Sequence, residues 1–382
     1  MNRDRDADVS GHAITAAQPS AEEMLRADMG AAWPRPDGHS VDSRTDTANR
    51  AGTPAVSVIV CAFTEERWQD LSRAVGSLHR QTEPPREIIV VIDHCPGLLR
   101  RAQRDLAGVT VLPNRFGKGL SGGRNTGAMA ASGDVIAFLD DDAAADPGWI
   151  AALSDGYQDP RVLGVGGLVE PAWDIGRPSW FPPELDWVVG CSYRGLPEVS
   201  APVRNFIGAN MSFRREVLDR VGGFSAGLGR VGAIPLGCEE TELCLRASQL
   251  HPEGVLRYEP AAAVSHRVRA KRANWAYLRS RCYAEGLSKA TVAKLAGSRR
   301  ALASERSYVR SVIPRALGMA LTGAARGRRA DLSTALALIG AVVITGTGYA
   351  MGRIRASAAA RYAAGTVHRQ ARPHPESSIL AT

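Results

Sequence analysis

The sequence predicts an α/β protein: an open, mostly parallel β-sheet flanked by helices. Three features point there. Short apolar runs of strand length alternate with stretches of helical periodicity over residues 56–169. Polar and charged residues follow several of the runs directly, as expected where strands end at a ligand-binding edge. The chain has 382 residues, 45% of them hydrophobic and 23% charged, enough for the core of one large domain or two smaller ones.

Residues 1–52 are rich in Ala, Asp, Ser, Gly and Pro and lack sustained periodicity, which predicts a disordered leader without the apolar stretch of a secretory signal. Residues 56–62 (VSVIVCA) are a first buried strand. Residues 67–81 carry Leu71, Val75 and Leu78 at helical spacing. Residues 87–92 (EIIVVI) are a second strand, 97–106 a helix and 109–112 a third strand. A helix over 121–131 precedes a fourth strand, 134–139, which runs into Asp140-Asp141-Asp142. A helix over 149–157 and a strand over 162–169 complete an alternation that suits a sheet with helical crossovers. Residues 170–204 read as irregular, with six prolines and Trp173, Trp180 and Trp187. Beyond them come a helix over 215–221, a glycine-rich loop over 222–237 and a helix over 239–250. Short strands at 255–258 and 262–265 and a helix over 273–297 follow.

The net charge of +8 is unevenly spread: −3 over residues 1–50, −6 over 51–266 and +17 over 267–382, where 21 basic residues face 4 acidic ones. That basic third suits an anionic partner such as a membrane surface or a phosphate-bearing lipid. Nucleic acid fits less well, because the basic residues flank an apolar segment instead of interleaving with stacking aromatics. The apolar segment, residues 332–352, carries no charge and is bracketed by Arg326, Arg328 and Arg329 and by Arg353 and Arg355. Its 21 residues just suffice to span a bilayer. Membrane association, spanning or in-plane, is the expectation; a buried helix or helical hairpin is the alternative. Six cysteines without a C-x-x-C pair exclude a disulfide scaffold, disfavour structural zinc and point to a reducing compartment.

The candidate chemistry lies where strands end. Three carboxylates at Asp140, Asp141 and Asp142 repel one another unless a cation neutralises them, and hard divalent ions suit such ligands; a helix-capping turn before Asp146-Pro147 is the alternative. Asp93 closes the second strand, where it can accept an N–H from a nucleotide base or serve a turn. Arg124 and Asn125 open a helix after a Gly pair, placed to face an anion or to cap the helix. Glu240, Leu243, Ala247 and Leu250 share one helix face, so Glu240 heads an apolar stripe as a candidate general base. Glu242 and Arg246 are expected to pair on the surface. His266 follows a short strand among basic residues, as a further metal ligand or a structural histidine.

In this order the segments VSVIVCAFTEE, EIIVVID, GLSGGRNTGAMAASGDVIAFLDDDA, GANMSFRREVLDRVGGF, CEETELCLR and VSH resemble the family-2 inverting glycosyltransferases with the GT-A fold, over roughly residues 55–285, about 60% of the chain. The resemblance implies a GT-A domain over 53–285, with a nucleotide-sugar half (53–170) and an acceptor half (171–285). A helical basic, membrane-associating region (286–360) and a disordered tail (361–382) would follow. It implies that Phe63, Glu65 and Asp93 line the base pocket and that Arg124 and Asn125 lie near the diphosphate. Asp140, Asp141 and Asp142 would face the donor, with Asp140, Asp142 and His266 at a Mn2+ or Mg2+ ion. Glu240 would be the base, and Glu239 beside it leaves open which glutamate acts. Two departures stand out: Asp93-His94 replaces a frequent Asp-Asp, and Glu239-Glu240 a frequent Glu-Asp. The Asp-His variant and the basic, apolar C-terminal region are similar to members that add glucuronic acid or a related sugar to lipid-linked or polysaccharide acceptors. The implied reaction moves a sugar from a nucleotide diphosphate donor, a UDP-sugar, to an acceptor hydroxyl at the inner face of the cell membrane. A sugar nucleotidyltransferase would want a glycine-rich basic loop where Phe63-Thr64-Glu65-Glu66 stands, and a dinucleotide oxidoreductase a G-x-G-x-x-G. A non-catalytic nucleotide-sugar-binding protein is the remaining alternative.

Overall fold

The computed structural model describes residues 53–225, 237–296 and 302–370. The expected leader (1–52), most of the glycine-rich loop and residues 371–382 lie outside these described residues. Strands β1 (Val56–Ala62), β2 (Glu87–Ile92), β3 (Thr110–Pro113) and β4 (Val135–Asp140) run parallel, in the spatial order β3-β2-β1-β4. Their connections carry helices α1 (Trp68–His79), α2 (Pro96–Asp105) and α3 (Leu120–Ala130). Beyond β4 the sheet becomes mixed. After β5 (Ala143–Ala145) and α4 (Trp149–Gly156) comes the long strand β6 (Val162–Trp173). Strand β7 (Ala201–Pro202) precedes β8 (Asn210–Arg214), which runs antiparallel to both β4 and β6. Strand β9 (Val255–Val268) lies parallel to β6 and antiparallel to β5 and β7. Strands of both expected halves therefore share one sheet.

Alternation along the strands builds two apolar layers. Val58, Val60 and Ala62 face Leu71, Val75 and Leu78 of α1 on one side of the sheet. Ile59 faces the other side, with Ala128 of α3, Phe138 and Phe213. Burying each such aliphatic side chain stabilises the fold by roughly 1.5–3 kcal/mol.

Strands β4 and β5 are consecutive in the chain yet lie four places apart in the sheet, β4 near the middle and β5 at the edge beyond β9. The sheet curls to allow this, and the chain crosses the gap at Asp141-Asp142. The two short strands expected at 255–258 and 262–265 are one strand of 14 residues. Its pairing with β6 shifts between Gly167 and Val169, which lie opposite Glu259 and Val264, so Pro260 sits in the irregularity. The segment expected as irregular begins as the end of β6 and includes a 3-10 helix at Pro183–Val189.

The C-terminal part is helical: α5 (Arg215–Val221), α6 (Glu239–Leu250), α7 (Trp275–Ala296), α8 (Ala303–Ser307), α9 (Ile313–Ala325) and α10 (Arg329–Gln370). Helix α10 thus continues through residues 361–370 of the segment expected as a tail. Leu278 and Cys282 of α7 join the main core together with Ala337, Leu338 and Ala341 of α10. Among the described residues one stretch, Arg329–Arg355, is long and apolar enough to cross a membrane.

Candidate active site

Asp140 closes β4 and Asp142 lies in the turn just after it, and the D-x-D spacing brings both carboxylates into one cluster with His266. The β5–β9 register, Ala143 opposite His266, delivers that histidine. One ligand atom from each of the three lies within 4.8 Å of the others. Asp142 is buried and surrounded by positive groups: His266 Nε2 at 3.1 Å, Arg67 Nη1 at 3.2 Å and Arg272 Nη2 at 3.4 Å. Burial alone would raise its pKa, but His266 and then the arginines outweigh it and hold Asp142 well below the ordinary carboxylate value. Burial equally disfavours the His266 imidazolium, and the Asp142 carboxylate reverses that, holding the imidazole well above its usual pKa. Asp141 turns to Arg67 Nη1 at 2.7 Å, and its Oδ2 is buried with no hydrogen-bond partner among the described residues. Burial, then the charge of Asp142, pushes Asp141 upward. Two carboxylates and an imidazole whose ligand atoms gather this closely fit a Mn2+ or Mg2+ ion, which would take the place of the His266 proton.

Helix α3 lies close enough to β1 to bury its arginine. A Cβ on Gly127 would stand 2.5 Å from Ile59 Cγ2, so a glycine is needed at this contact. Arg124, 2% exposed, reaches across the site. It donates to Glu239 Oε1 (2.9 Å), Asp140 Oδ1 (3.3 Å) and the Gly208 carbonyl (2.9 Å). The other oxygen of Glu239 is buried and has no hydrogen-bond partner among the described residues. Glu240, the next residue, is only part-exposed and lines the cavity. The protein packed around it, and then the charge of Glu239, push its carboxyl up to about 8. Among the described residues, two other than glycine have φ in the left-handed region: His94, beside Asp93, and Cys238, at the entry to α6. Such backbone costs on the order of 1–3 kcal/mol each and clusters at functional sites.

Two sequence expectations for α6 need correction. Leu243 and Ala247 are buried, but Leu250 is exposed, because the helix ends there at the rim of the domain. Glu242 is buried, and Arg246 holds it while also donating to the carbonyls of Val221 and Gly223. That pair braces the end of α5 instead of lying on the surface.

One cavity of about 1100 Å³ is lined by Phe63, Asp93, Arg124, Asp140, Asp142 and Glu240, among others, and His266 and Glu239 border it too. Asp93 accepts from Asn114 Nδ2 (2.7 Å) and from the Gly119 amide (3.0 Å), with His94 Nδ1 at 2.8 Å. Glu65 and Asn125 do not line the cavity. Glu65 is exposed beside Gly97. Asn125, one position round the helix from Arg124, clasps the Phe224 amide and carbonyl at 2.8 and 2.9 Å. Of the three tryptophans in the proline-rich segment, Trp187 lines the cavity, whereas Trp180 stacks on Trp275 and Trp173 packs against Phe181.

Sequence reasoning missed Arg67 and Arg272; the only trace of the latter was a basic run after His266. It also missed a network along the cavity wall. Arg204 and Lys289 hold Glu305 of α8, and Lys289 and Arg281 hold Glu285 of α7. The Cys238 thiol donates to Glu285 Oε1, which ties the network to the start of α6.

A model of glycosyl transferase family 2 matches residues 57–222. The glucosyl-dolichyl phosphate glucuronosyltransferase of Haloferax volcanii is 37% identical over 238 residues, 61% of this chain and 76% of that protein. The pre-mycofactocin glycosyltransferase of Mycobacterium tuberculosis is 29% identical over 172 residues, 44% of this chain and 34% of that protein. The solved mannosyltransferase PcManGT from Pyrobaculum calidifontis, in complex with GDP-Man and Mn2+, aligns with a TM-score of 0.47 at 17% identity, over 77% of this chain and 87% of that one. The chain belongs to glycosyl transferase family 2. It is a glycosyltransferase.

Proposed function

We propose that the enzyme transfers a sugar, with inversion, from a UDP-sugar to a hydroxyl of a lipid-linked acceptor. One observation carries this reading: a single cavity holds both the Asp140–Asp142–His266 cluster and Glu240, with Arg124 between them. The 37% identity to a glucosyl-dolichyl phosphate glucuronosyltransferase supports a uronic acid donor and a polyisoprenyl-phosphate-linked sugar acceptor. It also supports a membrane-associated enzyme, which we assign to the cytoplasmic face.

Asp140, Asp142 and His266 would hold a Mn2+ or Mg2+ ion, which would supply Lewis-acid stabilisation to a departing diphosphate. Asp93 and Phe63 receive the base. Arg67, Arg124 and Arg272 add fixed positive charge on the side where the leaving group develops negative charge. Glu240, ionised, takes the proton of the acceptor hydroxyl as that oxygen attacks the anomeric carbon from the opposite face. Glu239 stays bound to Arg124 and keeps it in place. No covalent nucleophile is required, so the product anomer is inverted.

A panel of nucleotide sugars, with and without a polyprenyl-phosphate-linked sugar and with Mn2+, Mg2+ or EDTA, tests this. Metal-dependent UDP release that rises on adding the acceptor, with the inverted anomer seen by NMR, is expected. Turnover undiminished in EDTA, or a retained anomer, would overturn it.

A further inference from the structure

We infer that helix α10 lies in the plane of a bilayer surface instead of crossing it, and that the acceptor end of the catalytic cavity opens onto this docked face. The two faces of the helix differ. Leu332, Leu336, Ile339, Val343 and Ile354 are all exposed, at positions that recur on one helical stripe. Helix α9, packed beside α10, exposes Met319 and Leu321. Exposed arginines stand at the ends: Arg326, Arg328 and Arg329 before the stripe, Arg353 and Arg355 at its far end. An apolar face rimmed by arginine, in a region of net charge +17, fits the interface of an anionic bilayer, with the side chains in the acyl boundary and the guanidinium groups among phosphates.

The opposite face excludes a spanning helix. Ala335 is buried, and Ala337, Leu338 and Ala341 belong to the main core. Helices α7 and α10 touch backbone to backbone: a Cβ on Gly286 would collide with the Thr345 carbonyl, and one on Gly348 with the Tyr283 carbonyl. Beside these contacts α7 carries Arg281, Glu285 and Lys289, locked into the ion network with Glu305 and Arg204. A membrane crossing by α10 would pull these charges to hydrocarbon depth, at a cost of several kcal/mol each.

The cavity lined by Asp140 and Glu240 also reaches α10, where Val342, Thr345, Tyr349 and the exposed Gly346 line it. An acceptor whose isoprenoid chain stays in the bilayer can enter there with its sugar directed inward. This second part rests on the lipid-linked acceptor proposed above; the docking itself does not.

The test is co-flotation of the full chain with vesicles of phosphatidylcholine alone or mixed with phosphatidylglycerol. The doubly substituted Leu336→Asp, Val343→Asp protein is compared with the unaltered chain; both positions are exposed, and circular dichroism checks the fold. The unaltered chain should float with anionic vesicles and be released by alkaline carbonate. The double variant should bind them at least ~10-fold more weakly, from the lost burial of two aliphatic side chains. Its turnover of a water-soluble short-chain acceptor should be unchanged while turnover of a long-chain acceptor in vesicles falls. Retention through carbonate would show a spanning helix and overturn the docking. So would unchanged flotation of the variant, or a dimer that the variant splits without vesicle binding by either form. Vesicle binding through the stripe with no turnover of any lipid acceptor would keep the docking and remove the acceptor reading. Equal loss on short- and long-chain acceptors would remove the entry route alone.

Discussion

Arg124 and Glu239 hold each other, and the consequence falls on their neighbour Glu240. Glu240 can accept a proton only when ionised, and burial with the adjacent Glu239 charge pushes it up to about 8. The value of kcat/KM should therefore climb as pH rises through that region and level off above it. Replacing Glu239 by Gln removes the like charge, so the climb should move to lower pH, with weaker donor binding because Arg124 loses a partner. A pH series at saturating Mn2+ reads both effects; a limb that stays in place would mean the two carboxylates do not interact. At this scale the carboxylates were legible in the sequence, because an Asp run at the end of an apolar strand and a Glu pair at the start of a helix break the local pattern. Arg67 and Arg272 were not. Arg272 lies 130 positions beyond Asp142, and only the β5–β9 pairing brings its segment back to the cluster.

At the scale of elements, the position of the site depends on how closely α3 lies on β1. Gly127→Val should force α3 away from Ile59, costing about 1–3 kcal/mol in the way overpacked cores do. Calorimetry should show a lowered Tm, and donor binding should weaken as Arg124 shifts; an unchanged Tm would mean the contact is softer than its geometry implies. The early strands and helices were legible because each apolar run is bounded by polar or glycine positions. Strand β9 was read as two pieces because Glu259-Pro260 breaks the apolar pattern, yet the register shift against β6 absorbs Pro260 and pairing resumes. The site pays a similar local cost at His94 and Cys238, whose left-handed backbone is not visible in residue type.

Across the whole molecule, the charge asymmetry and the cavity belong to one design. The acidic part carries the sheet and the Asp140–Asp142–His266 cluster, while the basic part lines the same cavity with residues of helices α7 to α10. Composition made the basic, apolar C-terminal region legible. It could not show that one face of α10 is buried against α7, because that depends on glycines at Gly286 and Gly348 meeting across two helices. Single-turnover transfer by Glu240→Gln, with donor affinity measured alongside by calorimetry, probes most directly whether cluster and base work on one substrate. Donor affinity should be unchanged and transfer slowed by about 100-fold or more. Transfer at the unaltered rate, or a larger loss in Glu239→Gln than in Glu240→Gln, would contradict Glu240 as the group that takes the acceptor proton.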